Sequence, residues 1–323
     1  MKHRPIFVHD NATVKWMHNG ISYCMHIWSD EWADSPREWD NLTTMACWHR
    51  DYRLGDNVEE KTPEQFWQKL VRQHCSDEEI FEAVRDGRLE GIRLEKNQDD
   101  PETYDIYETC YLAGFQTSNE AKEYLEYSEI GERAVADYIV DDLEISHCMA
   151  LMEPYAVWLP LWLYDHSGLT ISCGNRNGVY ADRWDSGQVG WILAFKDKIM
   201  SEAVEIVEDV IEKQTLSNGV TVETRMTRPL TEETWKNRAF SLMKSDVEQY
   251  DQYLRGESYV CTIYQAAEDD WDEIDCCGGF LGDDLVENGM LDEAAGFGLK
   301  EAIERNEYEI GEAKERKVVT FSF

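Results

Sequence analysis

A chain of 323 residues in which 42% of side chains are hydrophobic, among them 12 Trp, 16 Tyr and 10 Phe, can bury a large core, which excludes wholesale disorder. Its 31 Lys+Arg against 66 Asp+Glu give a net charge of −35, a field that repels nucleic-acid phosphates and anionic membranes and attracts basic surfaces. Nine cysteines, odd in number, widely spaced and without a C-x-x-C, point to reduced thiols rather than a disulfide framework or a structural zinc site.

No apolar run approaches membrane-spanning length, and the first ten residues lack the apolar core of a signal peptide. The expectation is a cytoplasmic protein without a membrane partner. The adjacent Cys276-Cys277 reads as buried or incidental.

Taken in chain order, residues 21–27 alternate Ile21, Tyr23, Met25 and Ile27 with polar side chains, the pattern of a half-buried strand. Ser35-Pro36 marks a helix start, Leu54-Gly55-Asp56 a turn, and Thr62-Pro63-Glu64 a helix over 63–75 with Phe66, Leu70 and Trp67 inward. Ser76 and Glu79 have capping-box spacing before Ile80–Arg85. Asn97 to Pro101 reads as a linker, and 119–143 as a broken helix.

Residues 157–164 and 190–195 read as apolar strands enclosing a polar, turn-rich middle. The surrounding stretch, 151–200, holds 4 basic and 5 acidic side chains, so the near-neutral core is expected there. Downstream, 201–214 has helical amphipathicity. Asn218-Gly219 with 220–226 gives a turn and strand, and Thr231 to Leu254 a long helix closed by Gly256. Residues 258–265 read as a strand, Glu268 to Asp275 as an acidic turn, 299–314 as a helix and 318–323 as a terminal strand.

The expected class is α+β, a mixed or antiparallel sheet flanked by acidic helices. Residues 1–60 and 151–265 form its core, 61–150 an acidic helical insertion, and 266–323 an acidic C-terminal helix and strand.

Four blocks stand out together: Trp39-Asp40-Asn41-Leu42 with Cys47-Trp48-His49-Arg50 and Tyr52 to Asp56; Leu163 to Thr170; Trp184 to Gly190; and Val247 to Gly256. The combination resembles a family of small proteins of no established activity carried by bacteriophages and other mobile elements of bacteria. Members of that family are shorter and lack most of 61–150. The resemblance implies a shared fold and a phage or mobile-element setting in a bacterial host cell; it carries over no catalytic residue.

Asp165-His166-Ser167 lists the residue types of a hydrolytic triad, but successive strand positions point to opposite faces, so a relay needs residues from elsewhere. As a polar strand end, Asp165 and His166 would cap backbone groups beside the Trp184–Gln188 turn. A hydrolase or metal-dependent alternative would draw on His166, Asp165, His49 and Asp185, with their convergence as its test. Gly278-Gly279 and Gly296-Phe297-Gly298 lack the Lys-Ser/Thr ending of a phosphate loop. No metal or cofactor is implied, and the absence of a basic stripe excludes direct nucleic-acid binding.

The acids are the most informative feature. Glu120, Glu123, Glu126, Glu129 and Glu132 recur every third residue and wind around a helix at about 4.5 Å of rise per carboxylate. With Asp141, Asp142, Asp269, Asp270, Asp272 and Glu273 they make the expected partner-binding face. The first reading is therefore a non-enzymatic inhibitor of a bacterial defence system, of anti-CRISPR or anti-restriction type. It would act as an acidic nucleic-acid mimic in the basic channel of a target protein. The enzyme centred on Asp165-His166 is the alternative, and a homo-oligomeric structural protein the third reading.

Overall fold

The computed structural model describes residues 5–89, 92–96, 104–108, 139–182, 184–202, 210–215, 221–226, 230–268 and 270–312. Helices and antiparallel sheets occur together in an α+β chain. The chain divides into two compact units: residues 1–41, 160–189 and 242–323 form one, and residues 42–159 and 190–241 the other.

The first unit is built on a five-stranded antiparallel sheet in the order β12-β11-β2-β1-β13. Its strands are β1 (Ala12–His18), β2 (Ile21–Ser29), β11 (Ser258–Ala266), β12 (Trp271–Leu281) and β13 (Tyr308–Glu312). The β1–β2 hairpin turns on Asn19 and Gly20, both at positive φ, which matches the twist of a two-residue connection. One face of the sheet carries Val14, Trp16, Met25, Ile27, Cys261 and Ile263 into a core completed by Leu285, Met290 and Leu299. The last three sit in or beside the short helices α6 (Met290–Glu293) and α7 (Leu299–Arg305).

The second unit packs α1 (Pro63–His74), α2 (Asp77–Arg85) and α3 (Ile145–Met152) around Trp67, Val71, Ile80, Val84, Cys148 and Met152. The caps read from the sequence are present. Thr62 Oγ1 accepts from Gln65 N at 3.3 Å, and Ser76 and Glu79 close a reciprocal capping box. Trp48, Trp67, Trp158 and Trp191 join edge to face with Phe66 in this core.

A second sheet has the order β3-β8-β6-β7, made of β3 (Thr43–Cys47), β6 (Ala156–Asp165), β7 (Leu169–Cys173) and β8 (Ser186–Phe195). Asp165 N bonds Asp185 O at one end and Lys196 N bonds Tyr155 O at the other, so β6 and β8 run antiparallel. The two apolar strands read from the sequence are these two, each slightly longer than expected. Helix α4 (Lys196–Glu202) follows β8.

Several expectations are corrected. Residues 61–150 include a hairpin, β4 (Ile92–Lys96) with β5 (Tyr104–Glu108), and are not purely helical. Of the run 201–214, read as one amphipathic helix, residues 203–209 lie outside the described residues; α4 reaches Glu202, and Val210–Thr215 is strand β9, paired with β10 (Thr221–Met226), because β-branched residues there gain a ladder partner. The long helix α5 (Trp235–Leu254) opens one turn after Thr231, and Gly256, at φ +75°, ends it with Gly256 N on Tyr253 O and Glu257 N on Gln252 O. The acidic run is mostly strand β12, and the helix expected over 299–314 stops at Arg305, where Asn306 turns left-handed at φ +55°. The 97–101 linker (save its bounding strands), most of 119–143, the Asn218-Gly219 turn and the strand at 318–323 lie outside the described residues.

Candidate functional site

In the first unit, three of the four sequence blocks meet. Strand β6 ends at Asp165, whose backbone N–H donates to Asp185 O, and His166 Nδ1 lies 3.0 Å from Asp185 Oδ2. Ser167 takes a left-handed φ of +61° in the turn to β7. The fourth block reaches the same sheet through α5: Asp251 Oδ1 accepts from Ile171 N at 2.7 Å, and Arg255 lies 3.0 Å from Asp251 and 2.8 Å from Glu257. Burial raises the Asp251 carboxyl above the ordinary range, against the Ile171 hydrogen bond and the Arg255 charge, which lower it.

Beside it, Arg176 stacks over the Trp162 ring at 5.2 Å and donates to the carbonyls of Tyr180, Asp182 and Ser186. Tyr180 Oη bonds Thr170 Oγ1 at 3.0 Å, and burial raises the Tyr180 phenol. Sequence reading missed this network. Its local signal was Arg176 in a near-neutral, turn-rich stretch, but Ile171 and Asp251 are 80 residues apart.

As chemistry, the arrangement holds a shape. The His166–Asp185 pair is exposed, with 63% and 38% of the two side chains accessible, so water competes for its charge. Among the described residues, Ser167 Oγ has no hydrogen bond to an imidazole, the geometry a Ser–His nucleophile requires. His49 belongs to the second unit, where its ring stacks on Tyr52 and its Nδ1 accepts from Asp51 N at 3.2 Å. Thus His166, Asp185 and the Asp165 backbone come together, and His49 has its own local contacts.

Among the described residues, no group of three or more His, Cys, Asp and Glu side chains is placed to hold a metal ion, and no helix is long and apolar enough to cross a membrane.

The chain matches no protein-family model, no curated protein and no solved structure.

Of the acidic residues, Glu120, Glu123, Glu126, Glu129, Glu132 and Asp269 lie outside the described residues. Asp141 pairs with Arg72, and Asp142 has its carboxyl raised by burial and by Asp141. Asp270, Asp272 and Glu273 mark the start of β12, an edge strand of the five-stranded sheet among the described strands, with Asp272 and Glu273 exposed. Ile274 is also exposed there, and Asp275 Oδ1 turns back to Cys276 N. Two tryptophans stand almost wholly in solvent: Trp32 at 90% and Trp184 at 93%. Both are flanked by acids: Asp30, Glu31 and Asp34 for the first, Asp182 and Asp185 for the second.

Proposed function

We propose that this protein is an acidic binding protein that occupies the basic nucleic-acid groove of a partner. In the phage or mobile-element setting that the sequence blocks imply, that partner is a defence complex of the bacterial host. The observation that carries the reading is the acidic edge β12. Asp272, Glu273 and Asp275 fall within four residues of an extended strand, roughly one carboxylate per 4.5 Å at about 3.4 Å of rise per residue. One strand of duplex DNA carries a phosphate about every 3.4 Å of axis, so the line charge is comparable.

Trp32 and Trp184 add exposed aromatic faces next to carboxylates. Such faces accept the Arg and Lys side chains of a phosphate-binding groove by cation–π contact as well as by charge. The exposed His166–Asp185 pair has no nucleophile aligned with it among the described residues, so the hydrolase alternative has less support.

The test is competition. Candidate host effectors and restriction complexes are titrated with the protein in the presence and absence of their nucleic acid, at low and high salt. Mutually exclusive binding that weakens as salt rises is expected. Reversing Asp272, Glu273 and Asp275 to Lys should weaken it at least tenfold, and His166→Ala should leave it unchanged. Simultaneous binding of protein and nucleic acid, or a reversal without effect, sinks the proposal.

A further inference from the structure

We propose that Cys261 and Cys277 form an oxidative cross-link site: a cross-strand dithiol that hydrogen peroxide converts to a disulfide stapling β12 to β11. The inference is independent of the proposed function and rests on strand register. Cys261 and Cys277 are direct partners in the antiparallel β11–β12 ladder. Directly opposed residues in such a ladder have Cα atoms about 4.5–5.5 Å apart, within the roughly 4.4–6.8 Å that a disulfide spans, and their side chains share a face. The next row shows that the register brings side chains into contact, since Thr262 Oγ1 lies 3.2 Å from the Sγ of its partner Cys276.

Two irregularities hold the register in place. Ile263 faces Asp275 but Tyr264 faces Glu273, so Ile274 is an extra residue. On the other side Tyr259 faces Phe280, which leaves one extra residue at Gly278–Gly279, with Gly279 at φ +82°. A slip that set Cys276 against Cys261 would have to move both bulges. Cys276 and Cys277 point to opposite sheet faces, so the adjacent pair is not the one that closes.

Access is asymmetric. Cys261 is 1% exposed on the core face, whereas Cys277 is half-buried on the outer strand. Peroxide therefore meets Cys277 first. The Cys277 thiolate takes one peroxide oxygen to become a sulfenic acid, and hydroxide leaves. The Cys261 sulfur then attacks the sulfenic sulfur, forming S–S as the S–O bond breaks; the Cys261 proton and the departing oxygen leave as water. Two thiols and one peroxide give one disulfide and two waters. Burial, together with Cys277, Glu293, Cys276 and Asp275, pushes the Cys261 thiol up to about 12, and burial with Glu293, Asp275 and Cys276 raises Cys277. The cross-link is accordingly slow at neutral pH and accelerates in base.

The experiment treats the folded, full-length protein with hydrogen peroxide, blocks remaining thiols with N-ethylmaleimide and maps peptides by mass spectrometry without reduction. A Cys261–Cys277 peptide that dithiothreitol removes is expected, with a reversible rise of several degrees in the unfolding midpoint. Cys277→Ser should abolish both, while Cys276→Ser, at an exposed position, should keep both. A cross-link through Cys276, oxidation of Cys277 to sulfinic acid with Cys261 still alkylatable, or no change in either thiol overturns the proposal.

Discussion

Arg37 is the most constrained charge described. It sits in the 3-10 turn after Pro36 with only 3% of its side chain exposed, 3.3 Å from Asp246, itself 15% exposed. A pair so removed from water contributes little net stability, but removing one partner takes away part of what compensates the other's burial. Asp246→Ala should cost up to about 3–5 kcal/mol, read as a fall in the urea midpoint at unchanged slope; a loss under about 1 kcal/mol would mean that the other contacts of Arg37 suffice to hold it. Two glycines make the same point sterically around β3. A Cβ on Gly190 would lie 1.9 Å from Ala46 O, and one on Gly55, whose φ is +68°, 2.3 Å from Met45 O. Gly190→Ala must push β8 from β3 at the Cys47–Gly190 row, with an expected cost of about 1–3 kcal/mol or more, whereas Gly187→Ala, with open space around it, should be nearly neutral. Comparing thermal midpoints of the two variants checks this.

At the level of elements, α5 is tied to β7 through one carboxylate. Asp251→Ala leaves the Ile171 N–H without its acceptor and should cost about 1–3 kcal/mol, whereas Asp251→Asn keeps an oxygen there. The pH dependence separates the two roles. Burial raises the folded pKa of Asp251 above that of an ordinary aspartate, so between the two the native state binds more protons than the unfolded chain. Its contribution to stability therefore falls as pH rises through that window, and above the window the cost is constant. Asp251→Asn should flatten that slope in urea titrations between acid and neutral pH; an unchanged slope would show that another group, such as Glu257, whose carboxyl burial also raises, dominates.

The same scale explains what was legible in the sequence. Strands β2, β6, β8, β10 and β11, the caps of α1 and α2 and the stop at Gly256 announce themselves through local alternation, hydroxyl caps and a left-handed glycine. Strand β12 does not, because its acids are poor strand formers and only an outer position tolerates them. Val210 and Ile211 mislead because β-branched residues at helical spacing also suit a hairpin once β10 is beside them. Of the candidate site, His166 and Asp185 were legible as a pair of turns, while Arg176 and Tyr180 act through an irregular loop with no repeating pattern and Asp251 reaches Ile171 across 80 residues.

Across the whole molecule, charge dominates. Even if every one of the 31 basic side chains neutralised an acid, 35 negative charges would stay unmatched, and several cations are already committed locally, as Lys69 with Glu60 and Lys196 with Glu232. The acids on β12 and β13, the outer strands of this sheet among the described residues, including Glu309 and Glu312, serve fold and binding at once, since like charges on an edge oppose edge-to-edge association. The cost is self-repulsion, which loads the compact state more than the expanded one. Salt relieves it: the Debye length shrinks from about 30 Å at 0.01 M to about 3 Å at 1 M. Raising NaCl over that range should raise the thermal midpoint and weaken association with a basic partner. Opposite signs for stability and binding are what an anionic binding surface requires. A midpoint that falls with salt would show that attractive ion pairs outweigh the self-repulsion in the folded state, and the case for an anionic surface held ready for a basic partner would lose its foundation.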